Sequence, residues 1–271
     1  ESLWSDCPPY CVPEIPGLED FSAVKKALPD VAVIANCGIH DPFKAEHILA
    51  AGQADFIGIC RPLLADPDYV DKVRHSRLED IRPCLRCNNC QTWEARPALA
   101  GRGMRCTVNP ALMVEESMTS HPACALKSMV VAGGGLAGMS AAATLAERGH
   151  RVILHEKSGE LGGQWLAASA GEDKRPFRTL TAGLVRRMEK AGVDIRLNSA
   201  PDKNAILSEK PDVVILATGA HPRDLSGVDI LPSPEQNGIA RLFGIDVLRG
   251  ARVPGRKAVV VGGRYIGMEC A

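Results

Sequence analysis

The chain is poor in aromatic residues, which fill 4% of its 271 positions, and it has no excess of either charge, with 32 basic and 32 acidic residues. The first shortage argues against a base-stacking surface. The second argues against recruitment of nucleic acid or an anionic membrane by bulk electrostatics. No basic segment followed by an apolar run opens the chain at Glu1-Ser2-Leu3-Trp4, so no export signal is read there, and a reducing, cytoplasmic setting is expected. Met129 to Ala146 runs for 18 residues without a charge. It is rich in glycine and alanine and weakly hydrophobic, so no membrane span is expected. An apolar fraction of 45% and a charged fraction of 24% are those of an ordinary soluble globular protein, long enough for two domains.

Cysteine, by contrast, is plentiful, with ten residues. Four fall in one constellation, Cys84-x2-Cys87-x2-Cys90-x15-Cys106. Three thiolates at consecutive short intervals can wrap one face of an iron–sulfur cubane, and a remote fourth can close it. Structural zinc sites more often divide their ligands into two separated pairs, so a 4Fe-4S cluster is favoured and a zinc knot is the alternative. The other six, Cys7, Cys11, Cys37, Cys60, Cys124 and Cys270, read mostly as small buried apolar groups.

Three regions follow from the patterning. Residues 1–80 alternate helix and strand: a helix from Asp20 to Leu28, a strand Val31–Ala35, a helix from Pro42 to about Ala51 closed by Gly52, a strand Ala54–Gly58, and helical stretches Arg61–Leu64 and Asp68–Arg74. Short connections between such elements imply parallel strands. Residues 81–127 show no period and read as a ligand-held segment. Residues 128–271 return to α/β, with strands at Ser128–Ala132, Val152–His155, Val193–Leu197 and Val213–Leu216 and helices at Leu136–Arg148 and Pro176–Lys190. A further strand–turn–helix is expected over Lys257–Ala271.

Two glycine loops stand out. Gly133-Gly134-Gly135-Leu136-Ala137-Gly138 follows a strand and precedes a helix, with Glu156 18 residues after Gly138. In such a loop Gly133 permits the tight turn, Gly135 lets a pyrophosphate approach, and Gly138 lets helix and strand pack closely. The helix N-terminus faces the phosphates, and the carboxylate accepts from ribose hydroxyls. Gly162-Gly163-Gln164 and Ala217-Thr218-Gly219 offer further glycine backbone close to a dinucleotide. The second loop, Gly262-Gly263-Arg264-Tyr265-Ile266-Gly267, carries Arg264 where the second glycine normally stands, which obstructs a pyrophosphate unless the guanidinium itself pairs with it.

In this order, Val33-Ile34-Ala35-Asn36, Gly58-Ile59-Cys60-Arg61 through Pro67, the cysteine cluster, Arg105-Cys106-Thr107-Val108-Asn109-Pro110, the Gly133 loop, Glu156 and Gly162-Gly163-Gln164 resemble the Old Yellow Enzyme–like iron–sulfur flavoenzymes. That group includes 2,4-dienoyl-CoA reductase, bacterial NADH:flavin oxidoreductase and trimethylamine dehydrogenase. The resemblance implies an α/β chain that is an internal stretch of a longer protein. Residues 1–80 would be the last two units of an FMN-binding (β/α)8 barrel, 81–127 the cluster segment, 128–254 a Rossmann-like domain for FAD (or ADP), and 255–271 the start of an NAD(P)-binding domain. It places the FMN phosphate at Asn36, Cys37, Gly38, Cys60 and Arg61. Cys60 departs from the usual small residue. FAD or ADP would lie on Gly133, Gly135, Ala137, Gly138, Glu156, Gly163, Gln164, Ala217 and Gly219, and NAD(P)H on Gly262, Gly263, Arg264 and Gly267.

The implied activity is electron transfer from NAD(P)H through FAD and the cluster to FMN, which reduces an activated C=C bond of a small-molecule substrate. In the amine-dehydrogenase branch an amine reduces FMN, and the first glycine loop holds only ADP. From another class, a zinc knot joined to a nucleotide-binding module is the alternative. The family's substrate pocket and proton donor lie in barrel strands outside this sequence, so no catalytic acid or base is named, and the 271-residue chain by itself is expected to be inactive in C=C reduction. His40 and His47 read as a solvated loop and a solvated helix face. No feature bears on oligomeric state.

Overall fold

Two short strands, β1 (Ile34–Ala35) and β2 (Phe56–Ile57), lie parallel with Ile34 opposite Phe56 and Ala35 opposite Ile57. This computed structural model describes residues 7–36, 38–91, 103–118, 120–221, 242–250, 255 and 257–271. The chain divides into two compact units, Glu1–His121 with Asp173–Gly183, and Pro122–Glu172 with Leu184–Ala271.

In the first unit, α1 (Leu18–Ala27) and α2 (Pro42–Ala50) flank the strand pair. The Asp41 side chain accepts from the Phe43 N–H at 2.9 Å, and Pro42 takes the first turn, where its missing donor costs nothing. Helix α1 starts earlier than its sequence suggests: Gly17 is the N-cap, and Asp20 falls within the first turn, where its charge meets the positive end of the helix dipole. The core here is Val33, Ala35, Ile39, Ile48 and Ala54, with Ile15, Leu18, Phe21, Ala45 and Ile57 packed against it. Each strand keeps only two residues of the expected five, because among the described residues β1 and β2 have only each other as partners. A strand extends only as far as its ladder.

Beyond β2 come α3 (Arg61–Ala65) and α4 (Tyr69–Arg74) and then the cysteine segment. That segment, expected to be held by ligands rather than by packing, is packed: Leu85, Val108 and Asn109 are buried in it.

The second unit contains four parallel strands in the order β5-β4-β3-β6: β3 (Ser128–Ala132), β4 (Arg151–His155), β5 (Asp194–Arg196) and β6 (Val213–Leu216). Val130, Val131, Val152, Ile153 and Leu154 are buried, which is why β3 and β4 read as continuous apolar runs rather than alternating ones. A short helix, α5 (Glu115–Met118), precedes the sheet. Helix α6 (Leu136–Glu147) follows β3 and buries Met139, Ala142 and Ala143. Helix α7 (Gln164–Ala168) comes next, then α8 (Arg175–Lys190), whose residues up to Gly183 count with the first unit and whose remainder counts with the second. Leu180, Leu184 and Met188 on α8 are spaced four apart and all buried, the stripe of an amphipathic helix.

Of the expected final strand–turn–helix, only the helix forms, at Tyr265–Cys270. Val259, Val260 and Val261 are exposed and belong to no strand; among the described residues no strand pairs with them. No helix among the described residues is long and apolar enough to cross a membrane.

Candidate functional site: a cysteine cavity and a glycine crevice

Cys84, Cys87, Cys90 and Cys106 line one partly open cavity, together with Arg61, Leu64, Leu85, Asn88, Thr107 and Val108. The sequence spacing named all four, and the fold brings Cys106 to the other three. The loop carrying the first three turns through left-handed residues at Arg86 (φ 55°) and Asn88 (φ 54°). Asparagine tolerates that conformation through local hydrogen bonding. Arg86 is held in it by its buried side chain, which donates to Pro9 O at 2.7 Å and to Val12 O and lies 3.5 Å from Glu14. Backbone turns of this kind expose N–H groups toward anions and sulfur sites. One such contact is made here, from the Arg86 N–H to Cys84 Sγ at 3.4 Å. Cys87 Sγ lies 3.2 Å from the Thr107 hydroxyl.

Burial pushes the Cys84 and Cys90 thiols up to about 11. Among the described residues, no three cysteine, histidine or carboxylate groups converge as ligands of a single ion. Four thiols arranged round a void, rather than on a point, fit a cluster better than one zinc ion, whose sulfur ligands sit about 2.3 Å from it. The remaining cysteines are not the buried groups expected of them: Cys11, Cys60 and Cys124 are exposed and Cys7 and Cys270 partly so, because all but Cys270 lie in loops or turns. Cys37 lies outside the described residues.

Asn36 and Gly38 follow β1, and Cys60 and Arg61 follow β2, so the two loops expected to hold a phosphate emerge at the same end of a parallel pair. Barrels commonly bind phosphates there. Cys60 is exposed at the N-cap of α3, while Arg61 is buried. Arg61 Nη1 donates to Pro8 O at 3.0 Å and to Asn88 Oδ1, so this side chain joins the loop after β2 to the cysteine loop. Gly38, with φ 99°, has no room for a side chain: a Cβ would lie 2.7 Å from Pro8.

His40 corrects the sequence reading. It is not solvated: Nδ1 lies 2.7 Å from Gly38 O, and Nε2 is buried without a hydrogen-bond partner among the described residues. Burial, with Arg61 and Arg86 nearby, lowers its pKa to about 4. Its one sequence signal was proximity to the phosphate loop, which a lone histidine on a polar stretch does not distinguish from solvent exposure. His47 is exposed as expected.

In the second unit the glycine loops meet at the C-terminal ends of β3, β4 and β6. β3 has β4 on one side and β6 on the other, and such a point of reversal opens a crevice in parallel sheets. Gly133 (φ 110°) carries the chain under Ala217, where a Cβ would sit 2.3 Å from a carbonyl oxygen. At Gly138 a Cβ would sit 1.8 Å from Gly133 O. Gly135 differs: a Cβ there meets nothing within 4 Å, so the protein itself does not require a glycine. The open position is the one a pyrophosphate would approach. Ala137 follows in the first turn of α6. Gly163 (φ 55°) crosses close to Gly135, and Gly162 N–H donates to Gly134 O at 2.8 Å. Gln164 donates to Ala220 O, tying the Gly162–Gln164 turn to the Ala217–Gly219 loop.

Glu156 is buried at the end of β4 and braces the loop: Oε2 accepts from the Gly134 N–H at 2.6 Å, and Oε1 from the Ser158 N–H and hydroxyl, each at 2.8 Å. Burial raises its pKa, but the donors from Ser158 and Gly134 outweigh it and hold the carboxyl below the usual glutamate range.

The second glycine loop repeats the geometry of the first. Gly262 has φ 118°, and a Cβ on Gly267 would sit 1.7 Å from Gly262 O. A Cβ on Gly263 meets nothing within 4 Å. Arg264 occupies the place of Gly135 with ordinary extended backbone (φ −89°), as the N-cap of the last helix.

Residues 127–271 match the family of pyridine nucleotide-disulphide oxidoreductases, and residues 15–80 the NADH:flavin oxidoreductase / NADH oxidase family. An NADH oxidase of Thermoanaerobacter brockii is 37% identical over 92% of this chain and 38% of its own length. A cinnamate reductase of Clostridium sporogenes is 34% identical over 93% of this chain and 36% of its own length. The chain therefore spans under two fifths of these relatives. Among solved structures, a 2-naphthoyl-CoA reductase in complex with 2-naphthoyl-CoA superposes with a TM-score of 0.86 at 27% identity, covering 97% of this chain and 39% of that one.

Proposed function

Because the chain belongs to the pyridine nucleotide-disulphide and NADH:flavin oxidoreductases, in the group of Old Yellow Enzyme–like iron–sulfur flavoenzymes, we propose that it is the electron-relay portion of an NAD(P)H-dependent reductase of activated C=C bonds, of the enoate or acyl-CoA class. The observation that carries this reading is the cavity lined by Cys84, Cys87, Cys90 and Cys106 next to the Arg61 loop. When bound, FAD, a 4Fe-4S cluster and FMN supply the electron transfer, in that order from NAD(P)H.

The chain's own residues do the holding. The four cysteines ligate the cluster, and the Arg86 N–H donates to one of the thiolates. Arg61, with Asn36, Cys37, Gly38 and Cys60, receives the FMN phosphate. Gly135 and the N-terminus of α6 take the dinucleotide pyrophosphate, and Glu156 keeps one lone pair of Oε2 for the ribose while bracing the loop. Ala137, Gly163, Gln164, Ala217 and Gly219 border the same crevice. Gly262, Gly263 and Gly267 form the nicotinamide-nucleotide loop, with Arg264 pairing with its phosphates.

Anaerobic reconstitution of the chain with iron and sulfide, followed by addition of FAD and titration with NADH, tests this. Iron and acid-labile sulfide in equal amounts, with NADH bleaching of bound flavin, are expected. One zinc and no sulfide would instead identify a structural knot. A competing reading is an amine dehydrogenase with ADP in the first crevice, in which Arg264 blocks the second loop instead of pairing with a nucleotide's phosphates. Nucleotide extraction yielding ADP, from a protein that NADH does not reduce, selects it.

A further inference from the structure

Fifteen residues separate Cys90 from Cys106, so contacts besides those to the metal can set the distance between the two segments. The structure contains a buried polar strap that joins them. Asp66, 1% exposed, closes α3. Its carboxylate accepts from Lys72 Nζ at 2.7 and 2.9 Å, from the Asp68 N–H at 3.2 Å and from the Arg82 N–H at 2.7 Å. Arg82 stands two residues before Cys84. Its guanidinium donates to Asn109 Oδ1 at 3.0 Å, and Asn109, 2% exposed, stands three residues after Cys106. Asn109 Oδ1 also accepts from the Ala111 N–H at 3.2 Å, and its Nδ2 donates to Leu64 O at 2.9 Å. Leu64 itself lines the cysteine cavity.

Arg82 is therefore gripped at both ends. Its backbone is held by Asp66 and its side chain by Asn109, and both anchors return to the last turn of α3. Buried carboxylates and amides of this kind are costly unless every partner is made, and here each atom named has one. Nothing in the core of the strand pair needs the strap, since that core is assembled from other residues.

We propose that Asp66, Arg82 and Asn109 are positioning residues that set the distance between the three-cysteine loop and the lone ligand Cys106, and so decide whether the fourth iron of the cluster is kept. The inference rests on the reading of the cavity as a cluster site. A slackened strap would move Cys106 away from the other three ligands. The iron on Cys106 would then leave as a ferrous ion, with its charge, and the remaining three irons and four sulfides would stay on Cys84, Cys87 and Cys90.

The test is iron and acid-labile sulfide analysis of the anaerobically reconstituted chain, with electron paramagnetic resonance before and after mild oxidation. The variants are Asn109→Asp, which keeps the acceptor for Arg82 and loses the donor to Leu64 O, Asn109→Ala, which loses both, and Cys106→Ser as reference. A fall in the iron-to-sulfide ratio from one to one toward three to four is expected, graded from Asn109→Asp to Asn109→Ala. The oxidised three-iron signal should match that of Cys106→Ser. Circular dichroism checks that the variants fold. A full four-iron complement with unchanged signal in Asn109→Ala overturns the proposal. So does unfolding of both Asn109 variants, which would make Asn109 a folding residue. A wild-type chain that takes up no iron defeats the cluster reading itself, whereas a wild-type cluster untouched by the variants defeats only the strap.

Discussion

Single residues in this chain separate two reasons for a glycine that a sequence pattern merges. Gly138 is required by the protein: a Cβ there would lie 1.8 Å from Gly133 O, a backbone atom that cannot swing aside. Gly135 is not required, because a Cβ meets nothing within 4 Å. The pattern G-x-G-x-x-G marks both positions but does not say which constraint belongs to the fold. Gly138→Ala should cost about 3 kcal/mol or more, as overpacking against rigid backbone does. Gly135→Ala should leave stability within about 0.5 kcal/mol yet weaken FAD retention. Urea unfolding with flavin-release measurements on both variants checks this. If Gly135→Ala binds FAD as the parent does, the crevice does not hold a pyrophosphate.

His40 shows what a sequence hides at the same scale, since burial is a property of the fold. Its pKa falls from 6.5 to about 4, mainly by burial, with Arg61 and Arg86 adding and Gly38 O and Glu14 opposing. Below pH 6.5 the unfolded chain binds a proton here that the folded chain refuses, so stability falls as pH drops toward 4 and is recovered as pH rises. The full effect is up to about 3 kcal/mol, at 1.36 kcal/mol per pKa unit. His40→Asn keeps a donor for Gly38 O and removes the titration. Its unfolding midpoint should change less between pH 7 and pH 5 than that of the parent. Equal slopes would show that His40 is hydrated after all.

At the scale of elements, periodicity located what neighbours complete. Helix α8 was legible because its apolar residues recur at the spacing of one helix face, and α2 because Asp41 and Pro42 mark a start. The strand expected to open the Lys257–Ala271 unit does not form, because an apolar run states a tendency to pair and says nothing of a partner. The cysteine loop is the opposite case. The grouping of its cysteines was legible from spacing, and they line one cavity, but its left-handed turn at Arg86 was not, since arginine is a poor residue for that conformation. Here two effects compete. Arg86→Gly would relieve about 1–2 kcal/mol of backbone strain. It would also remove charged hydrogen bonds to Pro9 O and Val12 O, each worth about 1.5–3 kcal/mol, and leave those carbonyls unpaired. The bonds win, so Arg86→Gly should destabilise the chain by about 2 kcal/mol or more. A variant as stable as the parent by chemical denaturation would mean that strain dominates.

For the whole molecule, the two units carry separate cores, and the cysteine cavity lies within the first while the glycine crevice lies within the second. The buried polar network around the cavity was not readable in the sequence, because asparagine, aspartate and arginine in an aperiodic stretch look alike whether buried or solvated. Binding free energy at a thiolate site is also folding free energy for the segments it ties. Stripping iron should therefore loosen the segments around Cys84–Cys90 and Cys106. It should spare β3 and β4, whose Val130, Val131 and Leu154 pack without help from the cysteines. Hydrogen–deuterium exchange after chelation should rise in peptides covering residues 82–91 and 103–110 and stay unchanged across 128–155. With Cys84 and Cys90 raised to about 11 by burial, the emptied thiols hold their protons at neutral pH, so reloading must release them and should proceed more readily as pH rises from 7 to 9. Uniform exchange in both units, or reloading indifferent to pH, would mean that the cysteine segments are held by packing and not by what their sulfurs bind.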